Sequence, residues 1–207
     1  MRLVIPVANE AGNLSLPYAL ASIRRHTDLE PLTVGERDPG LCEHLTTREP
    51  RGRLRKFRGE AVAMRTALEH LQAPFIWSAD DIYWMHPAEP VRWAIGDLDA
   101  DQGPTIYQER KHLTWQTCKR YGLPTWDYES HTPLPVLNLD AMLTALNLPG
   151  AMRSLYGNLT GTPDVIAPDV KLRRRSDPLP DTAWCSTELP PTRYTELIRL
   201  LNGVPML

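Results

Sequence analysis

Apolar residues near the start of the chain form short β-branched runs separated by a stretch with helical spacing. The run at residues 3–7 predicts a buried strand. Ser15 then precedes apolar residues at helical spacing up to His26, which predicts a helix capped by Ser15. A second strand is predicted at residues 31–34, before Gly35. This β-α-β order is typical of parallel strands joined by a right-handed crossover, so the pattern favours an α/β fold.

The same pattern continues into the second half of the chain, where proline becomes frequent. The segment 60–71 has helical spacing, and the apolar segment 73–78 predicts a central strand that ends at Asp80 and Asp81. Residues 82–85 continue the apolar pattern. Further helices are predicted at 107–122, 140–146 and 191–201. The chain has 20 prolines, which indicates a loop-rich second half. No linker is evident, so a single domain over 1–207 is predicted.

Composition narrows the class of protein. Hydrophobic residues make up 42% and charged residues 23% of the chain, as expected for a folded globular enzyme. The formal net charge of -2 excludes a uniformly basic nucleic-acid binder, so any such role depends on local charge. Three widely spaced cysteines without a CxxC pair exclude a disulfide framework and make a zinc ribbon unfavourable. The start of the chain does not have a signal-peptide pattern, and no apolar stretch is long enough to cross a bilayer, which predicts a cytoplasmic protein without membrane contact.

The most informative motif is the acidic pair in the sequence FIWSADDIYW. Asp80 and Asp81 follow a predicted buried strand, and ligands of open α/β sheets bind at the carboxyl ends of strands. Carboxylates are hard ligands suited to Mg²⁺ or Mn²⁺, which also bind substrate phosphates. An acidic pair of this kind is equally typical of a turn in which aspartates cap the next segment. The pattern alone leaves both interpretations open.

A second motif pairs Glu129 with His131 in the sequence YESHTPLP. Residues i and i+2 of an extended segment point to the same face, so the two side chains can face one site. They can act as a base with its orienting partner, or as a metal ligand with a base. An isolated ExH is also typical of a surface loop. Further on, Arg153 can hold a phosphate, or it can belong to a helix end with Gly157 or Asn158 as the stop.

Two basic segments stand out on this nearly neutral chain, at residues 48–58 and 171–175. They can neutralise a diphosphate or hold a polyanionic acceptor such as DNA. Solvated loops are the alternative for most of these arginines. Aromatic residues are not interleaved there, apart from Phe57, so the pattern does not indicate sequence-specific binding of single strands.

Five short motifs in order give the chain a resemblance to a known family. It resembles small glycosyltransferases of bacteria and their phages, which are distantly similar to the stealth-type sugar-phosphate transferases of capsule synthesis. The motifs, which cover about residues 3–160, are IPV, VGERDPGL, FIWSADDIYWM, YESHTPLPV and RSLYGN. Two departures are Ser78, where the family usually has an aspartate, and Ala8, where many members have arginine.

The resemblance implies a Rossmann-like glycosyltransferase fold of the A type, with a nucleotide-sugar half at about 1–87 and an acceptor half at about 88–207. It also implies a divalent metal, Mn²⁺ or Mg²⁺, held by Asp80, Asp81 and in one assignment His131. The donor-binding residues that it implies are Pro6, Val7, Asn9, Glu10, Glu36, Arg37, Lys56, Arg58 and Asp80, and Arg153 is a further donor candidate.

The activity expected on this basis is transfer of a sugar from a nucleotide-diphosphate donor, with a UDP-sugar favoured, to a hydroxyl group. Glu129 or His131 is the expected proton acceptor. Phage members of the family are thought to modify hydroxymethylated pyrimidines in DNA, so a DNA acceptor is favoured over a polysaccharide or a small molecule. In that case the protein would act in the host cytoplasm. A metal-dependent nuclease and a non-catalytic nucleic-acid-binding protein are the rival classes.

Overall fold

Ten strands in three sheets and six α-helices make up the computed structural model of the protein, which describes residues 1–7, 13–48, 55–98 and 105–203. The strands are Arg2–Pro6 (β1), Glu30–Gly35 (β2), Glu43–Thr46 (β3), Phe75–Trp77 (β4), Ile82–Trp84 (β5), Trp93–Ala94 (β6), Leu134–Val136 (β7), Val165–Ile166 (β8), Lys171–Leu172 (β9) and Trp184–Thr187 (β10). The helices are Leu16–His26 (α1), Arg55–Leu71 (α2), Ile106–Arg120 (α3), Leu139–Asn147 (α4), Met152–Thr160 (α5) and Thr195–Leu201 (α6), with a short 3₁₀ turn at Pro191–Arg193.

The central sheet has the strand order β3-β2-β1-β4-β7. Its first four strands are parallel, and β7 is antiparallel to β4. The chain moves outward from β1 to β2 and β3, then crosses back to place β4 on the other side of β1. The strand order therefore reverses between β1 and β4. In open α/β sheets, the crevice at the carboxyl ends of the strands beside such a reversal is the usual place for a ligand.

Both faces of the central sheet are buried, as the apolar run of β1 predicts. Val4 packs into a core formed with α2, α4 and α5, whereas Leu3 and Ile5 face α1 and the second sheet. All three side chains are fully buried. Successive residues of a strand point to opposite faces, so this short run joins two separate cores.

A second sheet, with the order β5-β10-β9, begins immediately after the acidic pair. Strand β5 is antiparallel to β10, and β10 is parallel to β9. The four residues 78–81 connect β4 of the central sheet to β5 of the second sheet. Asp80 and Asp81 therefore lie in a turn between two sheets.

The predicted α/β class is confirmed, with a mostly parallel central sheet. The β-α-β start, the strand at β4 and the helices α1 to α4 lie close to their predicted positions. The prediction that Ser15 caps α1 is wrong, because its side chain makes no capping bond. Asn13 does so instead, since its Oδ1 accepts from the backbone N–H of Leu16 at 3.1 Å. None of the described helices has the length and apolar character needed to span a bilayer.

The prolines of the second half do not prevent strands and helices from forming there. Strand β7 contains Pro135 at its centre, and β7 pairs with β4 at the end of the central sheet, where a proline is tolerated. The predicted terminal helix at 191–201 is in fact a 3₁₀ turn followed by α6.

The helix α5 continues through Gly157 to Thr160. A Cβ atom at Gly157 would overlap the ring of Tyr128, which packs directly on the helix. We expect Gly157→Ala to lower the free energy of unfolding by about 1–3 kcal/mol in urea titrations, because overpacking outweighs the gain in helix propensity. Gly40→Ala is the matched control, since a Cβ there meets no atom within 4 Å and only its positive φ of 68° is unfavourable. An unchanged free energy of unfolding in Gly157→Ala would contradict the overlap.

Candidate functional site

A cleft of about 910 Å³ runs along the carboxyl ends of β1, β2 and β4, at the reversal of the strand order. It extends past α2 and α3 to the segment 129–131 and to strand β9. The structure brings eight of the predicted site residues to its wall: Pro6, Val7, Glu36, Asp80, Asp81, Glu129, His131 and Arg153. Residues from the two halves of the chain therefore face one cavity.

Two predicted donor residues that the structure describes, Arg37 and Arg58, do not line the cleft. Arg37 is exposed in the turn after β2, and Arg58 is exposed on α2. The residues of α2 that line the cleft include Phe57, Glu60 and Ala63, which share one helix face, and Arg58 lies on another. Asn9, Glu10 and the side chain of Lys56 are outside the described part of the chain, as is most of the basic segment 48–58.

Asp80 is held against the start of α1. The side-chain amide of Asn13 donates to Asp80 Oδ2, while Asn13 Oδ1 accepts from the backbone of Ser15 and Leu16, both at 3.1 Å. One asparagine therefore caps the helix and orients the carboxylate. The positive end of the helix dipole lies on the same side, which favours negative charge there.

Asp81 is held by the second sheet. Ser186 on β10 donates its hydroxyl to Asp81 Oδ2 at 3.1 Å, and the ammonium of Lys171 on β9 lies 3.6 Å from the same oxygen. Lys171 Nζ is also 3.4 Å from Glu188 Oε2 and 3.5 Å from His131 Nε2. Burial raises the pKa of the Cys185 thiol to about 12, and the nearby carboxylate of Asp81 contributes to the rise. Cys185 is therefore an inert thiol at neutral pH.

His131 and Asp169 form a tightly bonded pair. His131 Nδ1 lies 2.9 Å from each carboxylate oxygen of Asp169, and the backbone N–H of His131 donates to Asp169 Oδ1 at 3.1 Å. Burial alone would raise the pKa of Asp169, but the bonds from His131 outweigh it and hold that pKa below its ordinary value. Because an ionised carboxylate only accepts, Nδ1 carries a proton, and Nε2 faces Lys171.

Helix α5 fixes the segment that carries Glu129 and His131. Arg153 is buried and donates to the backbone carbonyls of Tyr128 at 3.2 Å and Thr132 at 2.7 Å. Glu129 Oε1 accepts from the backbone N–H and the hydroxyl of Ser154, both at 3.3 Å. These contacts give Arg153 a positioning role, and the prediction that it binds a phosphate stays a prediction.

An ion pair supports the same segment from α3. Lys111 Nζ lies 2.7 Å from Asp127 Oδ2, and Asp127 Oδ1 accepts from the backbone N–H of Glu129 at 2.9 Å. The Asp127 side chain is 4% exposed. Burial raises the pKa of Asp127, and the bond from Lys111 opposes that rise. Asp127 therefore links Lys111, which lines the cleft, to the backbone N–H of Glu129.

Several residues of this network are absent from the sequence-based prediction. They are Asn13, Lys111, Asp127, Asp169, Lys171 as an individual residue, Ser186 and Glu188. An asparagine just before a helix is a recognisable capping signal, so Asn13 could have been found. Asp169, Ser186 and Glu188 lie in the last third of the chain, beyond the five motifs, and no local pattern marks them, whereas Lys171 is visible only as the first residue of the basic segment 171–175.

The arrangement suits an anionic ligand with a divalent cation. Ser78 is fully buried at the cleft wall, and its Oγ has no hydrogen-bond partner among the described residues. Within that same part of the chain, no three acidic, histidine or cysteine side chains converge as a ready metal-binding group. Magnesium and manganese commonly use only one or two protein carboxylates plus substrate phosphates, and Asp80 and Asp81 fit that requirement.

Comparison with known proteins does not assign the chain to a group. No protein-family model matches it, and no curated protein matches it significantly. Any functional assignment therefore depends on the geometry of the cleft.

Proposed function

We propose that the protein is a glycosyltransferase that moves a sugar from a nucleotide-diphosphate donor to a hydroxyl acceptor. The observation that carries the proposal is the common cleft. It joins an acidic pair at a reversal of strand order to an oriented His131–Asp169 pair. The first feature suits a diphosphate, and the second suits removal of a proton from a hydroxyl group.

The donor occupies the end of the cleft formed by β1, β2 and β4 in this proposal. Pro6, Val7, Gly35 and Glu36 lie there. Gly35 has no room for a side chain, since a Cβ would overlap Val7. The parallel order β3-β2-β1-β4 supports a glycosyltransferase fold of the A type as the finer description of this α/β sheet.

Asp80 and Asp81 would hold Mn²⁺ or Mg²⁺ beside the donor diphosphate. When bound there, the cation neutralises charge on the departing nucleoside diphosphate. Ser78, two residues before Asp80, has a fully buried hydroxyl without a hydrogen-bond partner among the described residues. It stands where the resembling family has a carboxylate, so this chain has one negative charge fewer at that point.

In the proposed chemical step, His131 is the general base. Nε2 accepts the proton of the acceptor hydroxyl while the acceptor oxygen bonds to the anomeric carbon. The bond from that carbon to the diphosphate oxygen breaks, and its electron pair leaves with the nucleoside diphosphate. Asp169 keeps Nδ1 protonated and stabilises the imidazolium that forms. Nε2 cannot bind a metal and take the proton at once, so we assign His131 as the base. Glu129, held by Ser154, is assigned to orient the acceptor.

We propose a hydroxymethylated pyrimidine in DNA as the acceptor. At the wall of the cleft, Tyr107 is 52% exposed, and its ring meets Phe57 edge-on at 5.3 Å between centroids. The guanidinium of Arg110 lies 4.2 Å from the centre of the Phe57 ring. Such a group of rings and a cation can stack a planar base. Arg174 and Arg175 are exposed close to β9, where a phosphate backbone can reach them.

One observation favours a second candidate, a metal-dependent nuclease. Asp169 and Lys171 flank Val170 in the sequence. Asp169 contacts His131, and Lys171 contacts Asp81, Glu188 and His131. Carboxylates combined with a lysine are suited to phosphodiester hydrolysis. Cleavage of DNA by the protein with Mn²⁺, in the absence of any nucleotide sugar, would favour this candidate over the glycosyltransferase.

The donor is tested by thermal shift with UDP, GDP, CDP and dTDP, each with and without Mn²⁺. We expect one nucleoside diphosphate to raise Tm, and to do so more with Mn²⁺. Asp81→Ala should lower its affinity by about tenfold or more, because a charge-assisted contact is lost. Asp97→Ala is the matched control, since Asp97 does not line the cleft. No shift with any of the four would overturn the proposed donor class.

The acceptor is tested with the sugar nucleotide that the first experiment selects. We expect labelling of duplex DNA that carries 5-hydroxymethylpyrimidine and none of unmodified DNA. Labelling of a polysaccharide or a small alcohol, with modified DNA left unlabelled, would keep the transferase and reject the DNA acceptor.

A further inference from the structure

Lys171 contacts three polar groups of the cleft, namely Asp81, Glu188 and His131. Its side chain is 15% exposed, and its ammonium lies between 3.4 and 3.6 Å from all three groups. The ammonium thus occupies a position among potential metal ligands. It balances the charge of the carboxylates in the free protein.

A metal ion and this ammonium compete for Asp81 in the absence of an anion. A divalent ion bound to Asp81 would lie within a few ångströms of Nζ, and like charges at that distance repel strongly in a partly buried site. A bound diphosphate removes this repulsion as an obstacle, because its negative oxygens attract both the metal ion and the ammonium. Lys171 lies at the cleft wall and can turn from Asp81 to such an oxygen.

We infer that Lys171 is a built-in cation of the donor-diphosphate subsite. It is held by Asp81 and Glu188 in the free protein and binds the diphosphate when the donor enters. This inference rests on the proposed function and adds a residue that the acidic motif does not include. It also implies that bare Mn²⁺ binds poorly and that the metal enters together with the diphosphate.

The test uses the full chain and two probes that do not depend on the nucleotide base. Binding of Mn²⁺ alone is measured by electron paramagnetic resonance. Binding of inorganic pyrophosphate is measured by calorimetry in EDTA. For Lys171→Met we expect opposite changes, with Mn²⁺ bound at least about tenfold more tightly and pyrophosphate at least about tenfold more weakly.

Glu188→Gln provides the reverse test and is a mild change, because Glu188 is 54% exposed. Removing its charge leaves the ammonium less neutralised, so pyrophosphate should bind more tightly and Mn²⁺ more weakly than in the wild type. Lys119→Met, an identical substitution at an exposed position of α3, should change neither affinity.

Unchanged affinities in Lys171→Met, or a loss of both, would overturn the inference, since a loss of both indicates structural support only. If Lys171→Met does not fold, the opposite changes expected of Glu188→Gln decide the matter. The proposed function fails separately, when no nucleoside diphosphate raises Tm. In that case the Mn²⁺ measurement still tests whether the ammonium of Lys171 lowers the affinity for Mn²⁺.

Discussion

A His131→Gln variant is expected to transfer sugar about 10²- to 10⁴-fold more slowly than the wild type, the usual contribution of a general base. Glutamine keeps a polar group near Asp169 but has no lone pair basic enough to accept the acceptor proton. Donor affinity should stay close to that of the wild type, because the proposed donor contacts are made by other residues. The measurement is a single-turnover transfer assay with saturating donor.

His70→Gln is the control for this variant. His70 is exposed at the end of α2, where its ring lies 3.9 Å from Glu43, and the variant should transfer at the wild-type rate. A near-normal rate in His131→Gln together with a severe loss in Glu129→Gln would assign the proton to Glu129 instead.

Lys111→Met is expected to cost about 3–5 kcal/mol of unfolding free energy at neutral pH, the usual cost of removing one partner of a buried ion pair. It leaves the carboxylate of Asp127 buried without its cation. Urea titration measures the loss. Lys119→Met, an identical substitution on the exposed face of α3, should stay within about 0.5 kcal/mol of the wild type.

The loss in Lys111→Met should become smaller as the pH falls. Burial already raises the pKa of Asp127, and removing Lys111 raises it further. In Lys111→Met, the native state binds more protons than the unfolded state at pH values between the unfolded and native pKa values of Asp127. The stability of the variant therefore decreases as the pH rises through that window. The deficit relative to the wild type is therefore largest above the native pKa. A deficit that does not depend on pH would show that Asp127 is not the group responsible.

The part of the fold that the sequence predicts is the part with local signals. Strand β1 and helix α1 are marked by a β-branched run and by helical spacing. Helix α5 has no comparable signal, because Gly157 is typical of a helix stop. The glycine is required by the ring of Tyr128 on the helix surface, a tertiary contact that no local pattern shows. Strand β7 is not predicted because Pro135 is tolerated only at the end of the sheet, and sheet position is also non-local.

In the candidate site too, the sequence predicts the residues that local motifs mark and not those brought in by tertiary contacts. The acidic pair and the Glu129–His131 spacing are visible in the sequence, because both are short motifs with a clear chemical meaning. Their partners are not, since Asp81 and Ser186 are 105 residues apart and His131 and Asp169 are 38 apart. A single sequence does not show which distant aspartate will orient a histidine. The roles of Asp80 and Asp81 as metal ligands stay predictions.

The connection between β4 and β5 also bears on which changes in chain length the protein tolerates. Residues 78–81 join two sheets, and their acidic side chains are held by Asn13 at the start of α1 and by Ser186 of the second sheet. An inserted or deleted residue would turn one aspartate away from its partner and shift β5 against β10. Relatives of this chain should therefore vary in loop length elsewhere while keeping four residues at this junction.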